Sequence, residues 1–294
     1  MAMRSWLFVP GDSESKLAKA VGTGADVIIV DLEDSVASGS KRLAREQAVS
    51  WLTLHRQQVL HDRRLGRWVR INPLGSREWR DDLIAVLPGA PDGIMLPKAA
   101  GPEAVQQLGA ELYELEGRSG VPAGSTKIMP LVSETAASAL TIAQYAGASL
   151  PRLAGLTWGA EDLAAAIGAT RKRDASGIWT DAFRYVRAQT LLTAHARGVP
   201  AIDTLHADFA DEAGLKAAAE AARADGFSGM LAIHPAQIET INQAFTASET
   251  DLAEARAIVA AFRDNPDAGT LQINRKMIDR AHLKLAQRVL GIEE

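Results

Sequence analysis

Three acidic residues stand where chemistry could be done. Two apolar runs of strand length, Ile128–Val132 and Leu153–Trp158, each stop at carboxylates as helical periodicity takes over. Glu134 follows the first run, and Glu161 and Asp162 follow the second. Acids at the ends of buried strands are placed to hold a hard divalent cation such as Mg²⁺ beside a small anionic substrate. The plainer alternative is capping, because Glu or Asp at a helix start also meets the positive end of the helix dipole. Capping explains either acid alone; both together on neighbouring strands favour a site.

The other strand-like runs end in polar residues as well: Glu33 and Asp34, Arg70 and Asn72, Lys98, Asp203 and His234. Each has a structural alternative. Arg70 could be an ion pair with Glu33 or Asp34, Lys98 could pair with an acid across the site, and His234 could cap the helix opened by Pro235. Their convergence on one face would describe a site for a metal and a carboxylate. A Schiff base through Lys98 is the chemical alternative. No serine stands in a nucleophile elbow.

The elements that must position these groups alternate. Strand-type runs at Ser5–Pro10, Asp26–Glu33, Arg67–Asn72, Gly93–Lys98, Lys127–Glu134, Leu153–Trp158, Pro200–Thr204 and Gly229–His234 are near-continuously apolar. Strands buried on both faces read this way. Helix-like segments such as Glu103–Glu116 and Ala182–Arg197 lie between them, with Gly117 and Gly198 where they stop. Eight such units predict an α/β fold, a (β/α)8 TIM barrel over residues 1–245, with its chemistry at the C-terminal ends of the strands. Residues 246–294 would form a C-terminal helical extension, with helices at Glu249–Asp264 and Arg275–Leu290 packing on the barrel or on a neighbouring subunit. The polar stretch Arg171–Gly177 is expected to be a mobile loop on the site face. A doubly wound sheet would want a glycine-rich phosphate turn, and VPGDSESK is not one.

Composition narrows the function. The 294 residues are 47% hydrophobic and carry a net charge of −4, which disfavours a nucleic-acid partner held by phosphate contacts. The absence of cysteine excludes disulfides, zinc–thiolate sites and a thiol nucleophile. Neither a signal pattern nor a membrane-length apolar run is found, so no membrane partner is expected and a cytoplasmic location is.

Several segments, taken together and in order, resemble the aldolase/citrate lyase family, in its citrate lyase beta-subunit-like branch. They are RSWLFVPGD (Arg4–Asp12), GADVIIVDLEDSV (Gly24–Val36), VRIN (Val69–Asn72), GIMLPKA (Gly93–Ala99), SETA (Ser133–Ala136), WGAEDLAAAIG (Trp158–Gly168), IHPAQI (Ile233–Ile238) and KMIDRAHLKLA (Lys276–Ala286). The resemblance implies a homotrimeric barrel that uses Mg²⁺ to cleave or form a carbon–carbon bond. The partners would be a small 2-keto acid and a CoA thioester, as with malyl-, citramalyl- or citryl-CoA. It places the metal ligands on Glu134 and Asp162, with Glu161 not separated from Asp162 by spacing. It places Arg70 on the keto-acid oxygen and makes Asp279 the acid/base of the tail. Backbone N–H groups at Gly159, Ala160 and Glu161 could hold the keto-acid carboxylate. Arg4, Lys16 and the Arg171–Arg173 loop are candidates for the nucleotide end of coenzyme A. Malate-synthase-like condensation with thioester hydrolysis, and a carrier-dependent subunit of a citrate lyase complex, are the alternatives.

Overall fold

The computed structural model describes residues 3–56, 59–60 and 63–292. The chain divides into two compact units, Ala2–Gln243 and Ala244–Glu294.

All eight expected strands of the first unit form. They are β1 (Ser5–Pro10), β2 (Val27–Asp31), β3 (Gly66–Arg70), β4 (Gly93–Leu96), β5 (Lys127–Pro130), β6 (Leu156–Thr157), β7 (Ala201–Asp203) and β8 (Gly229–Ala232). They make one parallel sheet in the order β5-β4-β3-β2-β1-β8-β7-β6. Parallel bridges Ile128↔Leu153 and Leu131↔Thr157 join its two ends, so the sheet curls round on itself as the TIM-barrel reading requires. Helices α1 (Glu14–Ala20), α2 (Lys41–Leu54), α3 (Trp79–Val86), α4 (Pro102–Ser119), α5 (Ala136–Ala139), α6 (Ala160–Ile167), α7 (Asp181–Ala196), α8 (Glu212–Asp225) and α9 (Ile238–Ala244) follow the strands. All but β1 are shorter than the apolar runs that announce them, most of all at the seam. There Leu153–Trp158 gives a ladder of only two residues, because the bridges are isolated.

The barrel interior is filled rather than hollow. Trp6, Val27, Ile29, Trp68, Met95, Met129, Leu131, Ile202 and Leu231 form its buried cluster. Trp6 and Trp68 meet edge to face with ring centroids 5.1 Å apart. Gly93 makes room for them, since a Cβ there would stand 2.4 Å from the Trp68 ring. Where the strands begin, arginines are neutralised in place. Arg4 pairs with Asp26 at 3.0 Å, Arg67 with Asp92 at 3.3 Å, and Arg152 with Glu116 at 2.7 Å.

The second unit contains α10 (Glu249–Asp264), an antiparallel hairpin of β9 (Thr270–Ile273) and β10 (Lys276–Asp279), and α11 (Arg280–Leu290). The expected helix Arg275–Leu290 therefore starts five residues late. Asn274 and Arg275 take positive φ angles (50° and 66°), which turns the hairpin, and Lys276–Asp279 pairs as a strand instead.

Candidate active site

The C-terminal ends of β2, β3, β4 and β5, with the start of α6, bring one cluster together. Arg70, the last residue of β3, donates through Nε and Nη2 to the two oxygens of Asp31, both at 2.7 Å. Its Nη1 lies 3.1 Å from Glu33 Oε2, and its guanidinium covers the Phe8 ring at 4.6 Å. Burial would raise the Asp31 carboxyl, but the charge and paired hydrogen bonds of Arg70 hold it below the usual carboxylate range. The same contacts overcome the effect of burial on Arg70 and hold its guanidinium above the ordinary arginine value. Arg70 is thus a buried ion pair, with a main partner the sequence reading missed. Strand alternation carried the signal: Val27, Ile29 and Asp31 fall on one face of β2, and the first two line the core.

Lys98 follows β4 with φ 49°, a left-handed conformation that side chains rarely adopt. Its main-chain N–H donates to Glu134 Oε2 at 2.6 Å. Its ammonium reaches Glu33 at 2.5 Å, Asp34 at 3.4 Å and Asp162 at 3.7 Å. Burial works against that charge, but the hydrogen bond and charge of Glu33 win and hold the ammonium above the ordinary lysine value. A Schiff-base nucleophile must shed its proton, so this lysine is poised for the opposite role.

Glu134 is 3% exposed. Burial first, then the Glu33 and Asp162 carboxylates, push its carboxyl up to about 8, against the opposing pull of the Lys98 N–H and Arg70. It does not cap the next helix. Thr135 does, accepting from Ser138 N at 3.0 Å in a reciprocal box. Gly159 packs so closely that a Cβ there would stand 3.0 Å from Glu134 Cγ.

At α6 the two acids part. Asp162 turns toward Lys98 and Glu134, whereas Glu161 is half exposed and pairs with Lys172. Two of the three amides expected to hold a substrate carboxylate are already engaged. Gly159 N donates to Ser133 Oγ at 3.1 Å and Ala160 N to Thr204 Oγ1 at 3.3 Å. This loop satisfies its donors internally, as a buried turn must, and two of the three expected donors are lost to a substrate.

The remaining candidates separate. Lys16 is exposed on α1, which follows the C-terminal end of β1. Arg4 precedes β1 and pairs with Asp26, so it belongs to the opposite end of the strands and is not brought to this cluster. The Arg171–Gly177 stretch is pinned: Lys172 holds Glu161, and Arg173 lies 3.6 Å over the Trp179 ring. Asp203 accepts from Trp158 Nε1 at 2.6 Å and pairs with Arg187 at 2.8 Å. His234 caps its short helix, accepting from Ala236 N at 3.2 Å. Asp279, in the second unit, is the N-cap of α11. It accepts from Ala281 N at 3.0 Å and pairs with His282 at 2.7 Å, and the His282 contact holds its carboxyl below the usual range.

The donor set fits a Mg²⁺ ion. Among the described residues, no three His, Asp or Glu side chains converge as a ready-made metal cage. The fit rests on Glu134 and Asp162. Two carboxylates suit Mg²⁺, which keeps several waters. Burial and the neighbouring carboxylates raise this carboxyl, and a divalent cation would relieve the repulsion among those charges.

Residues 4–235 match the HpcH/HpaI aldolase/citrate lyase family profile. The chain belongs to this family. Among its relatives, a citrate lyase subunit beta-like protein of Mycobacterium tuberculosis is 36% identical over 97% of this chain and 93% of its own length. The mitochondrial citramalyl-CoA lyase of Rattus norvegicus is 33% identical over 98% of this chain and 85% of its own. A (3S)-malyl-CoA thioesterase of Cereibacter sphaeroides is 33% identical over 99% and 94%. The crystal structure of CitE from M. tuberculosis with magnesium, acetoacetate and coenzyme A superposes with a TM-score of 0.77 at 36% identity, covering 99% of this chain and 98% of that one. The family expected from the motifs is the one found, and with it the barrel and the lyase class. No described helix is long and apolar enough to cross a membrane.

Proposed function

We propose that this HpcH/HpaI family member is a Mg²⁺-dependent carbon–carbon lyase acting on a 3-hydroxyacyl-CoA thioester of the malyl- or citramalyl-CoA kind. The products would be a 2-keto acid and acetyl-CoA, or the reverse. The observation that carries this reading is the buried Glu134, pushed up to about 8 beside Asp162 and within the field of Arg70. The relatives named citramalyl-CoA lyase and the magnesium- and coenzyme-A-bound CitE structure support it.

Glu134 and Asp162 would hold the cation, which supplies a concentrated positive charge next to the keto-acid carboxylate and its neighbouring oxygen. In cleavage the substrate hydroxyl loses its proton, the bond between C2 and C3 breaks, and the thioester fragment leaves as an enolate that takes up a proton on carbon. Arg70 would stabilise the oxygen on which charge develops. Asp31 fixes the guanidinium through two parallel hydrogen bonds, so that stabilising charge is already oriented before reaction. The thioester enolate needs a proton donor, and Asp279 is the proposed one. The lowered carboxyl of Asp279 means that it must act in exchange with His282 or leave its cap to be reprotonated. Lys16 is the remaining proposed cation for coenzyme A, and a homotrimer is the proposed assembly.

A second reading, release of free coenzyme A after condensation, draws support from the relative named (3S)-malyl-CoA thioesterase. One experiment tests both. Malyl- and citramalyl-CoA are incubated with the protein in Mg²⁺ or excess chelator, and keto acid, acetyl-CoA and free coenzyme A are quantified. Keto acid with equimolar acetyl-CoA supports the lyase, and free coenzyme A the thioesterase. Full turnover in chelator removes the metal from the proposal.

A further inference from the structure

Lys98 touches both proposed metal ligands, by different parts of the residue. Its N–H holds Glu134 at 2.6 Å, while its ammonium lies 3.7 Å from Asp162 Oδ1 and on Glu33 and Asp34. The main-chain contact needs only an amide, so glycine could make it without strain at φ 49°. What glycine could not provide is the charge. Arg70 also bears on Glu33 and Glu134, but it is committed through two of its nitrogens to Asp31. Glu33 Oε2 has no hydrogen-bond partner despite the nearby guanidinium. The cluster therefore holds more negative than positive groups, with the Lys98 ammonium among its acids.

We infer that Lys98 is the resident counter-cation of the metal site. It neutralises the acids while no divalent ion is bound, and contests Asp162 with the ion when one arrives. This rests on the reading of Glu134 and Asp162 as ligands. Lys98 is a positioning residue here, since it acts through Asp162 and Glu134. Its presence weakens cation binding and stabilises the cation-free fold. An ion that must displace an ammonium binds less tightly than it would to free carboxylates.

The test is Mg²⁺ binding by calorimetry and thermal melting in the presence and absence of Mg²⁺, with no substrate. Lys98→Met keeps the stem and removes the charge; it should bind Mg²⁺ at least about tenfold more tightly and melt lower without the ion. Lys98→Arg keeps the charge and should stay within about threefold of the parent. Lys98→Gly, free of backbone strain, should match Lys98→Met in affinity and serves if the methionine variant fails to fold. Unchanged or weaker Mg²⁺ binding in both Met and Gly variants overturns the inference and leaves the ligand assignment standing. Equal Mg²⁺ binding by the parent and by Glu134→Gln overturns the assignment itself, and the inference with it.

Discussion

The two ends of the barrel strands handle charge in opposite ways. At the N-terminal ends each of three arginines has its own acid: Arg4 with Asp26, Arg67 with Asp92, Arg152 with Glu116. Backbone carbonyls of Leu52, Gly89 and Ala90 take further N–H groups of Arg67. Pairs engaged in this way hold a fold closed and add no surplus charge for a ligand. At the C-terminal ends Asp31, Glu33, Asp34, Glu134 and Asp162 gather around Arg70 and Lys98. Burial and that imbalance together push the Glu134 carboxyl up to about 8. Ion pairs of similar geometry thus serve stability at one end and leave a binding capacity at the other. What differs is whether the charges cancel.

The comparison is broken most directly by removing the surplus. Glu134→Gln and Asp162→Asn should each reduce lyase turnover by at least about 10²-fold and abolish the rise in melting temperature given by Mg²⁺. Steady-state assays with melting curves check both; a retained Mg²⁺ shift in either variant would remove that residue from the ligand set. Next comes a matched pair of arginines. Arg70→Lys should fold and lose about 10²-fold in kcat, because an ammonium cannot reproduce the planar fork on Asp31. Arg67→Met should instead cost about 3–5 kcal/mol of stability, with kcat per folded molecule retained. The reverse pattern in urea unfolding and kinetics would make the two ends equivalent.

Proton linkage sharpens the contrast further. Glu134 is raised from 4.5 to about 8, so the metal-free fold prefers its protonated form. Its contribution to stability is complete below about pH 4.5 and is lost as pH climbs through about 8. Mg²⁺ must displace that proton, so its apparent affinity should rise about tenfold per pH unit and level off above about pH 8. Calorimetric titrations across pH 6–9 would show it, and a flat profile would separate Glu134 from the ion. The smallest expected stability change concerns Asp279. Asp279→Asn keeps a capping side chain and should melt close to the parent, whereas Asp279→Ala should melt lower. Asp279→Asn should lose turnover if the carboxyl carries the proton; an active Asp279→Asn protein would reduce Asp279 to its cap.

Much of this was legible before any coordinates. Near-continuous apolar runs separated by helical ones define eight βα units, because a strand covered on both faces admits few polar residues except where it ends. Polar strand ends therefore named Arg70, Lys98 and Glu134, and the order of the family motifs named the chemistry. Helix α10 was legible from end to end, and Ser248 and Asp251 form the local capping box that starts it. What the sequence left open were choices among neighbours only a few ångströms apart. Glu161 and Asp162 are adjacent in the first turn of α6 and differ by the direction each side chain takes, which Lys172 and Lys98 on other segments decide. Asp31 outranks Asp34 as the partner of Arg70 because the strand's inward face, not its last polar residue, meets the guanidinium. The amides of Gly159 and Ala160 are committed to Ser133 and Thr204, from loops 26 and 44 residues away. Local composition sets the elements and their polar ends; which charge meets which is fixed only when the closed barrel brings distant strand ends within hydrogen-bonding range.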